Sequence, residues 1–499
     1  MIPLKAADIA RIVGGELVHC DPQAKVTRPA EFDSRKAGPG SLFLALPGAR
    51  VDGHDFIAKA ISSGATLALA ARDVGEPAVV LTPLGKQESN ADAFAHDPRG
   101  EGAAVLRALG TLARFVVDTL APGGLDVIGV TGSAGKTSTK DMLATILRAE
   151  GPTVAPEGSF NNEIGHPYTV LQADHDTKYL VAEMSARGVG HVAHLAEIAP
   201  PKVGAVLNVG TAHLGEFGSR EVIAQAKGEL VEALPSAAAG GVAVLNADDD
   251  LVAAMATRTS AKVVYFSAAG AAQADYRATD ITLDDVARAS FTLHTPSGQF
   301  PVALAVHGAH QVANALAAIA VAVELGVDTA DVVAAISSHV AASRRRMEVQ
   351  ELPSGLVIIN DSYNANPDSM RAGIDAMLRT ATARSSAAWA VLGQMGELGA
   401  ATEQEHHKLA EYLQESGVNN LVAVGESDGV RALADKALEL GLNTFKASDT
   451  RAAADYVAAQ VGSRDVVLVK ASYADQLWQV ADLLTVAQET VDDESEVDG

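Results

Sequence analysis

The segment 127–138 constrains the fold more than any other part of this chain. Val127 and Ile128 predict a buried strand, and a glycine-rich turn leads from it into Lys136 and Thr137 at a helix start. Glycine lets backbone amides converge on an anion, and a helix N-terminus adds positive potential there. An ammonium and a hydroxyl at these positions suit phosphate and Mg²⁺. The segment therefore predicts a loop that binds a nucleotide triphosphate, with a plain strand-to-helix turn as the alternative.

The loop is a variant of the common phosphate-binding pattern. That pattern would need glycine at position 130, where this chain has Val130. The residues predicted to surround the phosphates are Gly132, Ser133, Ala134, Gly135, Lys136, Thr137 and Ser138.

Length, charge and cysteine content exclude several classes of protein. A chain of 499 residues exceeds one ordinary core and predicts about three domains. The net charge of −24 disfavours nonspecific binding to nucleic acid or anionic membranes, so anionic ligands need local sites. Cys20 is the only cysteine, which excludes an intrachain disulfide or a cysteine-rich metal site. Charges near the N-terminus and the lack of about 18 consecutive apolar residues predict a cytoplasmic protein.

Short strands and helices alternate along the chain, so the predicted fold class is α/β. The predicted domains are 1–118, 119–341 and 342–499, with linkers at the Pro-Gly-Gly turn near 122 and before the arginine run 344–346. A largely parallel sheet is expected in the central part, and a second, Rossmann-like sheet in the last part. The acidic segment of about 489–499 has little to bury and is predicted to be a disordered tail.

Three polar clusters follow the phosphate loop. Asn161 and Asn162 suit a polar ligand, although a plain turn is the simpler interpretation. Glu183 follows a predicted strand at the end where α/β sheets bind ligands, and is a candidate for Mg²⁺ or for a helix cap. His213 is a candidate metal ligand or an exposed loop histidine. Lys227, taken alone, is typical of a solvated helical lysine.

In this order the motifs resemble the Mur ligase family of peptidoglycan synthesis over almost the whole chain. Within that family they are most similar to the member that joins D-alanyl-D-alanine to UDP-N-acetylmuramoyl-tripeptide. The segments that carry the resemblance are 33–36, 40–48, 52–56, 161–165, 212–229, 310–318 and 360–367.

The resemblance implies an N-terminal UDP-substrate domain, a central ATP-binding domain and a C-terminal Rossmann-like domain in a monomer. It also implies that ATP and Mg²⁺ convert the tripeptide carboxylate into an acyl phosphate, which the amine of D-alanyl-D-alanine attacks. Because two anions must meet, the site needs cations placed before reaction.

The roles of individual residues come from the resemblance alone. Lys136, Lys227, His213 and Arg346 are implied to be catalytic. Thr137 and Glu183 are implied to hold one Mg²⁺, and His213 is implied to help hold a second. Lys227 is implied to offer oxygens suited to Mg²⁺ after CO₂ converts its amine to a carbamate. Asn314 is implied to contact adenine, Arg346 the nucleotide, and Asp361 the ribose. The implied substrate contacts are Ser34, Arg35, Asp52, His54, Asn161, Asn162 and Asn364.

Three positions depart from the family pattern. Ser185 stands where glycine is expected, Gln311 where many relatives carry asparagine, and Tyr473 where arginine is expected. The loop of Tyr473 therefore receives no role. Three other functions remain open: a sibling ligase that adds a diamino acid as the third residue, an ATPase switch without ligation, and a noncatalytic binding protein for cell-wall precursors.

Overall fold

The computed structural model describes residues 1–48, 50–87, 96–156, 158–210 and 214–486. His213 and the tail predicted at 489–499 lie outside these residues. The described chain forms three α/β units in sequence order, each built on its own main sheet, so the predicted fold class is confirmed. The three main sheets have five, nine and six strands. The domain boundaries stay a prediction.

The first unit has a five-stranded sheet in the order β2-β7-β6-β5-β4. Strand β6 is buried at all four residues, as a short apolar run predicts. The long helix α3 packs on this sheet and carries the core toward the next unit. The elements are β1 (Leu4–Lys5), α1 (Ala6–Val13), β2 (Glu16–Val18), β3 (Lys25–Val26), β4 (Ala30–Glu31), β5 (Leu42–Leu44), α2 (Ile57–Ser62), β6 (Leu67–Ala70), β7 (Ala78–Val80) and α3 (Glu101–Leu120).

The second unit has a nine-stranded sheet in the order β16-β15-β14-β13-β12-β11-β8-β10-β9. Strand β8 lies between β10 and β11, parallel to both. The elements are β8 (Asp126–Thr131), α4 (Lys136–Glu150), β9 (Thr153–Val154), α5 (Gly165–Val170), β10 (Tyr179–Glu183), α6 (His191–Ile198), β11 (Val203–Val206), α7 (Leu214–Phe217), α8 (Arg220–Glu232), β12 (Val242–Asn246), α9 (Asp250–Ala253), β13 (Lys262–Ser267), β14 (Tyr276–Leu283), β15 (Arg288–Thr295), β16 (Gly298–His307), α10 (Gln311–Glu324) and α11 (Thr329–Ser338).

This sheet contains an antiparallel part that the sequence analysis missed. Strand β15 pairs antiparallel with both β14 and β16, and β14 joins this group to the parallel part at β13. Strand β15 alternates exposed and buried residues over much of its length, the pattern of a half-buried strand. Buried parallel strands are indicated by continuous apolar runs. These alternating segments lack such runs, so they were not predicted as strands.

The third unit has a six-stranded sheet in the order β17-β18-β22-β19-β20-β21, parallel except for the edge strand β17. Separate apolar clusters cover its two faces, as in a doubly wound sheet. The elements are β17 (Glu348–Glu351), β18 (Val357–Asn360), α12 (Pro367–Arg384), β19 (Ala388–Leu392), α13 (Thr402–Glu415), β20 (Asn420–Val424), α14 (Asp428–Glu439), β21 (Asn443–Ala447), α15 (Thr450–Gln460) and β22 (Val466–Lys470). Among the helices described, none has both the length and the apolar character needed to span a bilayer.

Candidate active site

The phosphate loop lies between the end of β8 at Thr131 and the start of α4 at Lys136. Gly135 has a φ of +83°, and a Cβ atom there would lie 2.2 Å from Oδ1 of Asn314. The backbone amide of Ala134 donates to Oδ1 of Asn208 at 2.9 Å, which fixes the loop against the end of β11. Val130, which stands where the common phosphate-binding pattern has its first glycine, is a buried residue of β8. The variant spacing is therefore compatible with a closed strand–loop–helix turn.

Lys136 lies at the centre of several charges. Its ammonium donates to the carbonyl of Gly132 at 2.8 Å. Burial lowers the pKa of Lys136, and the negative charge of Glu183 opposes that shift. The positive charge of Arg346 lowers the pKa further, whereas Glu397 raises it. Lys136 is thus within electrostatic reach of groups from both the second and the third unit.

Thr137 and Glu183 form a buried oxygen pair beside the loop. The Thr137 hydroxyl donates to Oε2 of Glu183 at 3.0 Å, and the amide of Asn161 donates to Oε1 at 2.7 Å. Only 2% and 1% of the two residues are exposed. Parallel pairing of β8 with β10 brings their carboxyl ends together, because Glu183 lies opposite Val130. Hydroxyl and carboxylate oxygens are donors that Mg²⁺ prefers, so this pair fits a magnesium ion.

Arg346 reaches this pair from the segment between α11 and β17. Its Nη2 donates to Oγ of Ser159 at 2.5 Å, and Ser159 also bonds the Thr137 hydroxyl at 2.9 Å. The guanidinium carbon lies 4.2 Å from the ring centroid of Tyr363. Nε of Arg346 is buried without a hydrogen-bond partner among the described atoms. One cationic side chain therefore has a buried donor available beside the phosphate loop.

Lys227 lies on α8 and is 2% exposed, so its interpretation as a solvated lysine is wrong. Burial lowers the pKa of Lys227 well below its usual value, and the nearby charge of Lys136 lowers it further. The sequence around it gave no signal of burial. The packing of α8 on the parallel sheet encloses the amine near the phosphate loop.

The third unit contributes a second charged cluster. Lys470, at the end of β22, is 1% exposed and forms an ion pair with Asp361. It also donates to the carbonyl of Asn364 at 2.9 Å. The other carboxylate oxygen of Asp361 accepts from the backbone amide of Met347 at 3.0 Å. Asp361, predicted beside the ribose, thus connects the six-stranded sheet of the third unit to the segment that carries Arg346.

These groups line one cavity of about 980 Å³ between the second and third units. The sequence-predicted residues on its wall are Ser133, Ala134, Gly135, Lys136, Thr137, Ser138, Asn161, Asn162, Glu183, Asn314, Arg346, Asp361 and Asn364. Gly132 and Lys227 lie beside this wall without lining it.

The N-terminal candidates lie outside this cavity and form local networks. Arg35 pairs with Asp33, which lowers the pKa of that carboxyl to about 2, and Ser34 is 7% exposed. His54 is buried, and both ring nitrogens are engaged: Nδ1 contacts Oδ1 of Asp52 at 2.8 Å and Nε2 accepts from the backbone amide of Ala71 at 3.0 Å. This geometry favours a scaffold role for His54. The predicted substrate contacts there stay a prediction.

Sequence reasoning missed several residues of the cavity wall. No role is predicted for Lys470 from the sequence, and the ion pair of Arg187 with Glu397, at 2.9 Å, is not predicted either. The ring of Tyr473 lies 5.4 Å from that of Tyr363 and 4.9 Å from that of Trp478. A charged residue next to a glycine after an apolar strand, as in Gly396-Glu397, was the available signal.

A parallel sheet whose phosphate loop faces a second α/β sheet across a polar cavity defines a nucleotide-dependent enzyme of the P-loop type. Three family models match the chain: "Mur ligase family, catalytic domain" over 31–115, "Mur ligase middle domain" over 130–322, and "Mur ligase, glutamate ligase domain" over 345–473. The chain belongs to the Mur ligase family.

Named relatives extend this similarity to nearly full length. The UDP-N-acetylmuramoyl-tripeptide–D-alanyl-D-alanine ligase of Mycobacterium tuberculosis is 49% identical, over 98% of this chain and 99% of its own. The ligase of the same name from Escherichia coli is 34% identical, over 85% and 87%.

Solved structures of MurF proteins are also similar to this chain over nearly its full length. A crystal structure of MurF from Acinetobacter baumannii has a TM-score of 0.81 and 32% identity, covering 97% of this chain and 99% of its own. MurF ligase from Thermotoga maritima, in complex with ADP, has a TM-score of 0.73 and 28% identity, covering 93% and 99%.

Proposed function

We propose that this chain is an ATP-dependent ligase that joins D-alanyl-D-alanine to UDP-N-acetylmuramoyl-tripeptide in cytoplasmic peptidoglycan precursor synthesis. The observation that carries the proposal is the cavity where Lys136, Arg346 and the Thr137–Glu183 pair meet. The near full-length similarity to ligases of that name supports the choice of substrates.

The charge arrangement supports phosphoryl transfer to a carboxylate. A carboxylate and an anionic γ-phosphate repel each other, so cations that are already in position lower the barrier. Lys136 faces the loop at Gly132, and Arg346 approaches from the opposite side through Ser159. Both cations are anchored before any ligand binds, so they need little reorganisation during the reaction. The products of this step are ADP and an acyl phosphate. The neutral amine then attacks the acyl carbon, an amide bond forms, and phosphate leaves.

Thr137 and Glu183 are the residues that would hold Mg²⁺. A bound magnesium ion supplies positive charge to the phosphate oxygens in the transition state. Asn161 orients the Glu183 carboxylate from the other side through its 2.7 Å hydrogen bond. His213, predicted to help hold a second Mg²⁺, belongs to the same proposal.

Carbamylation of Lys227 also belongs to the proposal. Only a neutral amine reacts with CO₂, and burial lowers the pKa of Lys227 well below its usual value. The carbamate would carry negative charge toward Lys136, whereas the ammonium would repel it. Lys227→Ala should lose activity that short carboxylic acids partly restore. Full activity of the unrescued variant would refute the role, and intact-mass or ¹³CO₂ NMR measurements test the modification directly.

Nucleotide and peptide contacts complete the assignment. Asn314 lies against Gly135 and donates to Oε1 of Gln311 at 2.9 Å, on the side proposed for adenine. Asp361 is proposed to face the ribose while Lys470 holds its other side. The N-terminal unit is proposed to bind the UDP group through Ser34, Arg35 and Asp52, with His54 holding Asp52 in position.

Closure of the third unit over the second would exclude water from the acyl phosphate. Because the cavity wall comes from both units, we expect binding of an ATP analogue together with the UDP-tripeptide to compact the protein. Small-angle scattering measures this directly. An identical profile with and without both ligands would count against closure.

An ADP-release assay tests the function as a whole. Purified UDP-tripeptide and ATP are incubated with D-alanyl-D-alanine or with single amino acids. Release that depends on the dipeptide supports the proposal, while release that depends on a diamino acid and a UDP-dipeptide points to the sibling ligase. ATP hydrolysis without any UDP-linked acceptor would indicate a switch, and binding without hydrolysis a noncatalytic protein.

A further inference from the structure

The second substrate brings a positive charge into a cavity rich in cations. The amino group of a dipeptide has a pKa near 8, so it enters mostly as an ammonium. Lys136, Arg187, Arg346 and Lys470 all line the cavity. An ammonium approaching the acyl group is repelled by these charges unless a carboxylate faces it. The identity of that carboxylate is not fixed by the proposed function.

Among the described residues, five carboxylates line the cavity, and two of them accept hydrogen bonds from protein groups on both oxygens. Glu183 accepts from Thr137 and Asn161, and Asp361 from Met347 and Lys470. The five described carboxylates are Glu163, Glu183, Asp361, Asp368 and Glu397.

Two further members of this set lie close to protein groups at the edge of the cavity. Glu163 is 3.4 Å from the ring of His191. Asp368 packs so closely on Gly210 that a Cβ atom there would lie 2.4 Å from its Oδ2. Glu183 and Glu397 both act electrostatically on Lys136, and Glu183 already pairs with Thr137 at the proposed Mg²⁺ position.

Glu397 reaches the cavity from the carboxyl end of β19. Its φ of +60° is in the left-handed region, which residues other than glycine rarely adopt and in which such residues cluster at functional sites. Arg187 of the second unit donates to its Oε1 at 2.9 Å. The charge of Glu397 acts on Lys136 across the boundary between the units. The carboxylate is therefore held beside the phosphate loop but comes from the opposite wall.

We propose that Glu397 receives the ammonium of the incoming dipeptide and that Arg187 holds the carboxylate in position. This inference rests on the proposed function and adds the residue that recognises the second substrate. Glu397 attracts the ammonium close to Lys136, where the acyl phosphate forms. Compounds with a free amino terminus satisfy this contact, and N-acylated dipeptides do not.

Glu397→Gln tests the inference, with Glu403→Gln as its control. Glu403 is an exposed glutamate on the first turn of α13 and does not line this cavity. ADP release is measured with ATP, UDP-tripeptide and either D-alanyl-D-alanine or hydroxylamine. Hydroxylamine is largely uncharged at neutral pH and traps the acyl phosphate without needing an ammonium site.

We expect Glu397→Gln to raise the KM for D-alanyl-D-alanine by about 10- to 100-fold, the range of a charge-assisted hydrogen bond. The rate with hydroxylamine and the KM for ATP should stay within about twofold of the parent, and Glu403→Gln should match the parent throughout. Glu397→Asp keeps the charge and should fall between the two, which gives a second reading if the glutamine variant folds poorly.

Two results would overturn the inference while leaving the proposed function intact. One is an unchanged KM for the dipeptide in Glu397→Gln. The other is an equal loss with hydroxylamine, which would mean that the pair with Arg187 acts on closure instead of amine recognition. If the parent protein itself releases no ADP with D-alanyl-D-alanine, the proposed function fails and the inference fails with it.

Discussion

Gly135→Ala is the substitution for which the structure gives the most definite expectation. The residue has a φ of +83°, and left-handed backbone costs a residue with a side chain about 1–2 kcal/mol. The new Cβ atom would lie 2.2 Å from Oδ1 of Asn314, closer than two heavy atoms can approach. Asn314 must move, which breaks its 2.9 Å hydrogen bond to Gln311 and costs about 1 kcal/mol. The total destabilisation expected is about 2–3 kcal/mol.

The chain offers a matched control for the backbone contribution. Gly417 has a φ of +82°, and a Cβ atom there would meet nothing within 4 Å. Gly417→Ala therefore carries the conformational cost of about 1–2 kcal/mol without any collision. It also lies far along the chain from the phosphate loop, after α13. The difference between the two variants isolates the contact with Asn314.

Calorimetry and nucleotide titration together measure both effects. A unit of 150–250 residues loses about 2–4 °C of Tm per kcal/mol, so Gly135→Ala should lower the transition of the second unit by roughly 4–12 °C. Its affinity for an ATP analogue should fall at least about tenfold, because the displaced loop no longer directs its amides at phosphate. Gly417→Ala should bind nucleotide like the parent. Parent-like nucleotide affinity in Gly135→Ala, with no greater loss of Tm than in Gly417→Ala, would refute the reasoning.

Two further predictions concern the Thr137–Glu183 pair, which is proposed to hold Mg²⁺, and the hydrogen bonds of Asp52 in the N-terminal unit. Thr137→Val removes the hydroxyl that bonds Glu183 at nearly constant volume, so the Mg²⁺ concentration needed for half-maximal ADP release should rise about tenfold or more; an unchanged Mg²⁺ requirement would contradict the role. Burial would raise the pKa of Asp52, but hydrogen bonds from Arg72 and His54 lower it to about 2 from 3.8. This carboxylate therefore stabilises the fold above about pH 4, and the contribution is lost as the pH falls through 2. Asp52→Asn should lower the free energy of unfolding by about 2 kcal/mol at pH 7, and denaturant titrations should show a smaller loss below pH 4. An equal loss at pH 7 and below pH 4 would contradict this expectation.

Much of the fold could be predicted from the sequence because its signals are local. The strand β8, the glycine-rich turn and the start of α4 are adjacent in the chain, so residue spacing was sufficient. The apolar runs that became β10, β11 and β19 are short-range patterns as well. The strands β14 to β16 were missed because alternation competes with loop composition, and only their pairing makes them a sheet.

The surroundings of the site residues were harder to predict than the fold, because they depend on tertiary packing. Lys227 is typical of a solvated lysine in the sequence, yet it is only 2% exposed, because α8 packs on the parallel sheet and the helix face that is buried depends on that packing. His54 belonged to a motif interpreted as substrate-binding, yet both of its nitrogens bond protein groups. In both cases the chemistry of the side chain is set by neighbours that are distant in sequence.

The sequence by itself determined the phosphate loop, the α/β class and the family, because each depends on residues near one another along the chain. Only the tertiary structure decided which charges meet. Arg346 contacts Ser159 across 187 positions, and Glu397 contacts Arg187 across 210. Such pairs form only when the second and third units come together, because electrostatic interaction depends on the distance in space between the charges, whatever their separation in sequence.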